Sequence, residues 1–192
     1  MAVTITNSSK AFNNGQNLAI VFLQQKSEQL RFENHGDFLI VFDQDQIIGI
    51  NVFNYQKYFL VQSGFHLVNE QIKKFLIKNF DQLNETHFEN PIKVGQIKNI
   101  SDHPQSPKLK ILKVQFLDSE LQIITNVQDL KVNDKYLFAL DGAILANAME
   151  IKNTKVMNVA SQGMIVSYQA IGINQEGLVD CNEYQLNQEF IF

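Results

Sequence analysis

Short apolar runs parted by polar links predict a β-rich chain with one helix. Leu18–Leu23 (LAIVFL), Phe38–Phe42 (FLIVF) and Ile47–Phe53 (IIGINVF) are too short for helices and rich in β-branched and aromatic residues, so each predicts a strand. The first seventeen residues are polar and predict a loose start with an early strand. Asp43–Gln46 (DQDQ) joins two of the runs, which predicts a hairpin. Gly49 inside the second of them points to a bulge or a close backbone approach. From Asn69 the period lengthens. Ile72, Phe75, Leu76, Phe80 and Leu83 share one face, with Lys73, Lys74, Lys78 and Asp81 outside it and Asn69 placed to cap. A helix to about Leu83 follows, read as a lid on the strands. Polar residues then lead to Pro91, a domain boundary dividing the chain into 1–90 and 91–192.

Beyond Pro91 the strand pattern returns. Ile92–Ile100, Leu109–Phe116, Leu121–Thr125, Lys135–Leu140 and the pair Ile165-Val166 predict strands, with turns at Asp118–Glu120 and Asp141-Gly142. Pro104 and Pro107 lack amide protons, so the segment from Ser101 to Lys108 is expected to be an open polar loop. Lys108 and Lys110, two residues apart at the start of the next strand, should be exposed on one face. The acidic tail from Asn174 ends in Phe190-Ile191-Phe192, read as a pairing strand.

Composition narrows the function. The 192 residues are 45% apolar, enough for a normal core, with no apolar run long enough to span a membrane. The opening MAVTITNSSK has no apolar stretch, so no secretory signal is expected. Cys181 is the single cysteine, which excludes an internal disulfide and a cysteine-bound zinc cluster. The four histidines (35, 66, 87 and 103) have no metal-ligand spacing. A cytoplasmic protein without metal or cofactor is expected. Its net charge is −4, yet between positions 93 and 113 five lysines (93, 98, 108, 110 and 113) accompany only one acidic residue, Asp102. Fifteen of the sixteen basic residues are lysine, so a single lysine says little; the cluster is what points to a polyanion.

Several segments carry a resemblance. His103-Pro-Gln-Ser-Pro-Lys-Leu109 resembles the His-Pro-x-Ala-Asp-Lys-Leu loop of the bacterial tRNA-binding domain. Gln122-Ile-Ile-Thr125 resembles the strand of a Gln-Ile-Val-Cys/Thr-Gly-Ala-x-Asn segment, although Asn126 and Asp129 replace its Gly and final Asn. Asn tolerates positive φ, so Asn126 is expected to keep the turn. Leu140-Asp-Gly-Ala143 resembles Leu-Pro-Gly-Ala, and Ile151–Val156 resembles Ile-Lys-x-x-Lys-Leu, followed by Met157-Asn158 in place of Arg-Gly. Ser161-Gln-Gly-Met164 matches Ser-x-Gly-Met. In the first half, Gly49-Ile-Asn-Val-Phe-Asn54 resembles a Gly-x-Asn-x-Phe-Asn segment of the extension in YtpR-like stand-alone proteins of this family.

The resemblance implies a small N-terminal α+β unit followed by an all-β OB-fold, a five-stranded Greek-key barrel. It implies a non-catalytic RNA-binding protein, with tRNA or another structured RNA as partner, no membrane, and a homodimer. Electrostatic docking of the RNA backbone on lysines at the barrel mouth is the expected mechanism. The residues it assigns to RNA are Lys98, His103, Ser106, Lys108, Lys110, Asn126, Lys152, Lys155, Ser161, Gln162 and Met164. The alternative is a protein-interaction or chaperone-like adaptor that has largely lost RNA binding, consistent with the acidic total. An enzyme is not expected, because no nucleophile–base pair and no phosphate-cradling Gly-rich loop appears.

Overall fold

Antiparallel strand pairing builds both halves of the computed structural model, which describes residues 3–7, 17–23, 29–84, 88, 90–147 and 149–186. The chain divides into two compact units, Met1–Asn90 and Pro91–Phe192. The described residues are mostly β-sheet with one short α-helix. No described helix is long and apolar enough to cross a membrane.

In the first unit β1 (Val3–Asn7), β2 (Leu18–Phe22), β3 (Leu30–His35), β4 (Phe38–Asp43), β5 (Gln46–Phe53) and β6 (Gly64–Leu67) form one sheet, in the order β3-β4-β5-β2-β1-β6. β4 and β5 form the expected hairpin, with Gln44 left-handed (φ 54°) in its two-residue turn. Gly49 serves both expected purposes. The register shifts beside its partner Val41, and a Cβ on Gly49 would lie 3.2 Å from the Val21 carbonyl. The helix α1 (Glu70–Asn79) is capped by Asn69, whose side chain accepts from the Ile72 amide. Ile72, Phe75 and Leu76 are buried in one core with Ala19, Val21, Ile50 and Val52 of the sheet.

α1 stops short of Leu83. The Asn79 side chain donates to the Phe75 carbonyl at 2.7 Å, and Phe80 turns extended (φ −137°). A 3-10 turn over Asp81–Leu83 keeps Phe80 and Leu83 in the core, so the apolar spacing is read correctly while the backbone changes form beneath it. Asn54, the last residue of the Gly49–Asn54 segment, is left-handed (φ 53°) and donates to Asp37 at 3.2 Å. Asp37 also accepts from Lys57 and Tyr58, each at 2.9 Å; these bonds, Lys57's foremost, hold its carboxyl below the usual range. Asn54 is thus tied to a turn.

In the second unit β7 (Ile92–His103), β8 (Ser106–Gln115), β9 (Glu120–Thr125), β10 (Lys135–Ala139) and β13 (Met164–Ile165) pair in the order β13-β10-β7-β8-β9. β11 (Thr154–Val156) and β12 (Val159–Ser161) make a separate hairpin. Ile97, Leu112, Val114, Phe116, Ile123, Phe138 and Ile165 fill the core between them. β9 would be an open edge. Instead it meets the end of β12 and the residue after it: the Gln162 amide donates to the Gln122 carbonyl at 2.8 Å, and the Ile124 amide donates to Ser161 Oγ at 3.0 Å. The sheet therefore curls until its outer strands, β9 and β13, approach each other. Burial pushes the Cys181 thiol up to about 12, which leaves it an inert packing group.

The open loop expected from Ser101 to Lys108 is corrected. β7 and β8 run on to a tight turn with only Pro104-Gln105 between them. Pairing jumps from Asp102↔Lys110 to His103↔Ser106, and Pro107 falls in the jump, where its missing amide proton breaks no ladder bond. The tail segment Phe190-Ile191-Phe192 lies outside the described residues.

Candidate nucleic-acid interface

The hairpin tip is fixed by a buried imidazole. The Gln105 amide donates to His103 Nδ1 at 3.2 Å, so the ring proton sits on Nε2, which faces the Val156 carbonyl at 3.2 Å and donates to it. His103 is 3% exposed, so it braces the β7–β8 turn against β11 and has no free nitrogen to offer a ligand. Ser106 tightens the same tip, accepting from the Lys108 amide at 3.3 Å.

A second brace lies where the sheet closes. Ser161, also 3% exposed, accepts from Ile124 and donates to the Gly163 carbonyl at 3.1 Å. Gln162 Oε1 accepts from the Gln122 amide at 3.2 Å, while the Gln122 side chain donates to the Ala160 carbonyl at 2.7 Å. Gly163 follows with φ 142°, and a Cβ there would stand 2.6 Å from the Ala139 carbonyl oxygen. The backbone at Gly163 thus packs closely against the end of β10 in the same unit. Ser161 and Gln162 are spent on structure.

Between these braces lies a cleft of about 470 Å³. Leu109, Ile124, Val127, Val156, Met164 and Leu178 supply most of its wall, with Thr125, Asn126 and Ser167 as the polar part. Asn126 is exposed and is not left-handed, so it keeps no positive-φ turn; the strand simply ends at Thr125. Met164 pairs with Ala139 through its backbone and turns its partly exposed side chain into the wall.

The lysines fall into two groups. Lys108 and Lys155 are the sequence neighbours of the lining residues Leu109 and Val156; both are exposed, and neither has a carboxylate partner among the described residues. Lys110 differs from the exposed cation expected. Its ammonium lies 2.6 Å from Asp102, and its side chain is only 24% exposed. Lys152 is paired with Glu150 at 3.1 Å, and Lys98, at the bulge where Ile97 and Asn99 shift register, donates to Gln96 at 2.7 Å. Neither Lys98 nor Lys152 adjoins a residue lining the cleft. The turn joining β11 to β12 escaped the sequence reading. Met157 (φ 46°) and Asn158 (φ 66°) are both left-handed, the geometry of a two-residue hairpin, and an Asn between two β-rich triplets was its available signal.

Residues 92–185 match the family model described as "Putative tRNA binding domain". Over more of the chain the likeness is to "Putative tRNA-binding protein YtpR" of Bacillus subtilis, 28% identical over 161 residues, 80% of each chain. The β subunit of phenylalanine–tRNA ligase from Fusobacterium nucleatum is 39% identical over 84 residues, 43% of this chain, and that from Clostridium acetobutylicum is 37% identical over 83. The chain spans only 10% of either ligase subunit.

Proposed function

We propose that residues 91–192 form an OB-fold domain, a five-stranded Greek-key barrel, that docks tRNA without catalysis, and that residues 1–90 form a separate α+β domain. The observation that carries this reading is that Lys108 and Lys155, sequence neighbours of residues lining an apolar cleft, are exposed without carboxylate partners among the described residues, within a segment that matches the tRNA-binding-domain model. The lysines meet phosphate; the RNA is recognised by shape. Lys98 and Lys152 extend the positive surface, while Lys110 contributes less because Asp102 already neutralises it. His103, Ser106, Ser161 and Gln162 act by holding the hairpins that carry the contacts.

Salt-dependent binding tests this. Three or four neutralised phosphates give a log–log slope of roughly −2 to −4 and modest affinity. Changing Lys108 and Lys155 together to Ala should flatten the slope by about one to two units and weaken all tRNAs alike, whereas Lys110→Ala should change it less. A double variant with the parent's affinity and slope moves the RNA to another face. No salt-sensitive binding by the parent favours the protein-interaction adaptor. The reading extends to a homodimer, for which light scattering at micromolar concentration should show a particle of twice the 22.0 kDa chain. A 22.0 kDa species alone removes the dimer.

A further inference from the structure

We infer that the cleft between β8, β9 and β13 takes one unpaired nucleobase, so that the domain prefers RNA with an accessible single-stranded base to a closed duplex. The inference rests on the docking reading above and adds the ligand of the cleft. Its size is the first argument. A cleft of about 470 Å³ falls within the ~300–1,000 Å³ of sites for small organic ligands, and a paired, stacked helix has no base free to enter it.

Chemistry is the second argument. The wall is apolar except at one side, where Thr125, Asn126 and Ser167 come together. Thr125 is 6% exposed; its oxygen accepts from the Val127 amide at 3.1 Å, and its own hydroxyl proton meets no acceptor among the described residues. Asn126 is exposed, its backbone carbonyl accepts from Gln128, and its side-chain amide has no partner among the described residues. A buried donor without an acceptor, beside an amide able to donate and accept, suits the edge of a base. The aliphatic side chains and the Met164 thioether suit its faces.

Charge is the third. Lys108 and Lys155 are next in sequence to lining residues of two different hairpins, exposed and free of carboxylate partners among the described residues, so the surface around the cleft offers cations to the backbone of an RNA whose base enters it. An apolar peptide side chain would fill the wall equally well, but it would leave both ammonium groups and the Asn126 amide without complementary partners.

The test uses the full chain, labelled at methionine methyls, with a single-stranded oligonucleotide and a blunt-ended duplex of two complementary strands of equal phosphate count. The single strand should shift the Met164 methyl signal and compete with tRNA at least about tenfold better than the duplex. Met164→Ala and Asn126→Ala should each weaken single-strand binding roughly threefold to tenfold with the salt slope unchanged, since no phosphate contact is lost. Met164→Leu, which keeps the apolar volume, should restore most of it. Salt-sensitive tRNA binding with an unmoved Met164 signal and indifferent variants overturns the base site and leaves the docking reading standing. A parent with no salt-sensitive binding overturns both. An apolar peptide that shifts Met164 while the single strand does not assigns the cleft to a protein and also overturns the inference.

Discussion

Gly163→Ala is expected to destabilise the second unit by roughly 3 kcal/mol or more, because two separate penalties meet at one residue. The backbone at φ 142° lies in a region almost closed to residues with a Cβ, and the new methyl would stand 2.6 Å from the Ala139 carbonyl oxygen. Neither penalty relaxes easily. Leu140 also crowds the site, at 3.2 Å through its side chain, and β10 is fixed by pairing with β7. For a unit of about this size such a loss lowers the melting temperature by ~12 °C or more, visible by calorimetry on the full chain. A variant that melts within 2 °C of the parent would show that β10 and β13 are not packed this closely.

The strand pattern before and after Pro91 was legible because alternation and apolar runs report burial directly, and burial is what these strands share. The hairpin β4–β5 and the cap at Asn69 are each written in a few adjacent residues. Strands with little burial were not legible. β3 is exposed along nearly its whole length, with Phe32 58% exposed, and β11 and β12 are only three residues each. Their pairing comes from neighbours and turns rather than from a hydrophobic stripe of their own.

The site was legible as a set of positions more than as a set of roles. Residue types do not reveal a side chain's partner. His103, Ser161 and Gln162 look like ligand groups in a string of letters, yet each is occupied by backbone atoms more than twenty residues away in sequence. Lys110 is silenced by Asp102, which lies eight positions earlier and becomes its cross-strand partner only once the hairpin closes. Conversely Leu109, Val127 and Leu178 read as ordinary core residues and line the cleft. Long-range contact decides both cases.

The sharpest consequence concerns His103, which the resemblance assigns to RNA and the geometry assigns to a brace. Its ring is 3% exposed, with Nδ1 accepting from Gln105 and Nε2 donating to Val156. His103→Ala removes the ring and leaves the Val156 carbonyl without this donor, which should cost the second unit about 2–3 kcal/mol. Because Val156 ends the strand that carries Lys155, tRNA binding should weaken with it. A ring that contacts no phosphate takes none away, so the salt slope should stay at the parent's value when binding is measured well below the melting transition. His103→Gln can keep a donor towards Val156 and should recover part of both losses. If His103→Ala flattens the slope by about one unit without lowering stability, the imidazolium itself meets a phosphate and the bracing role is wrong.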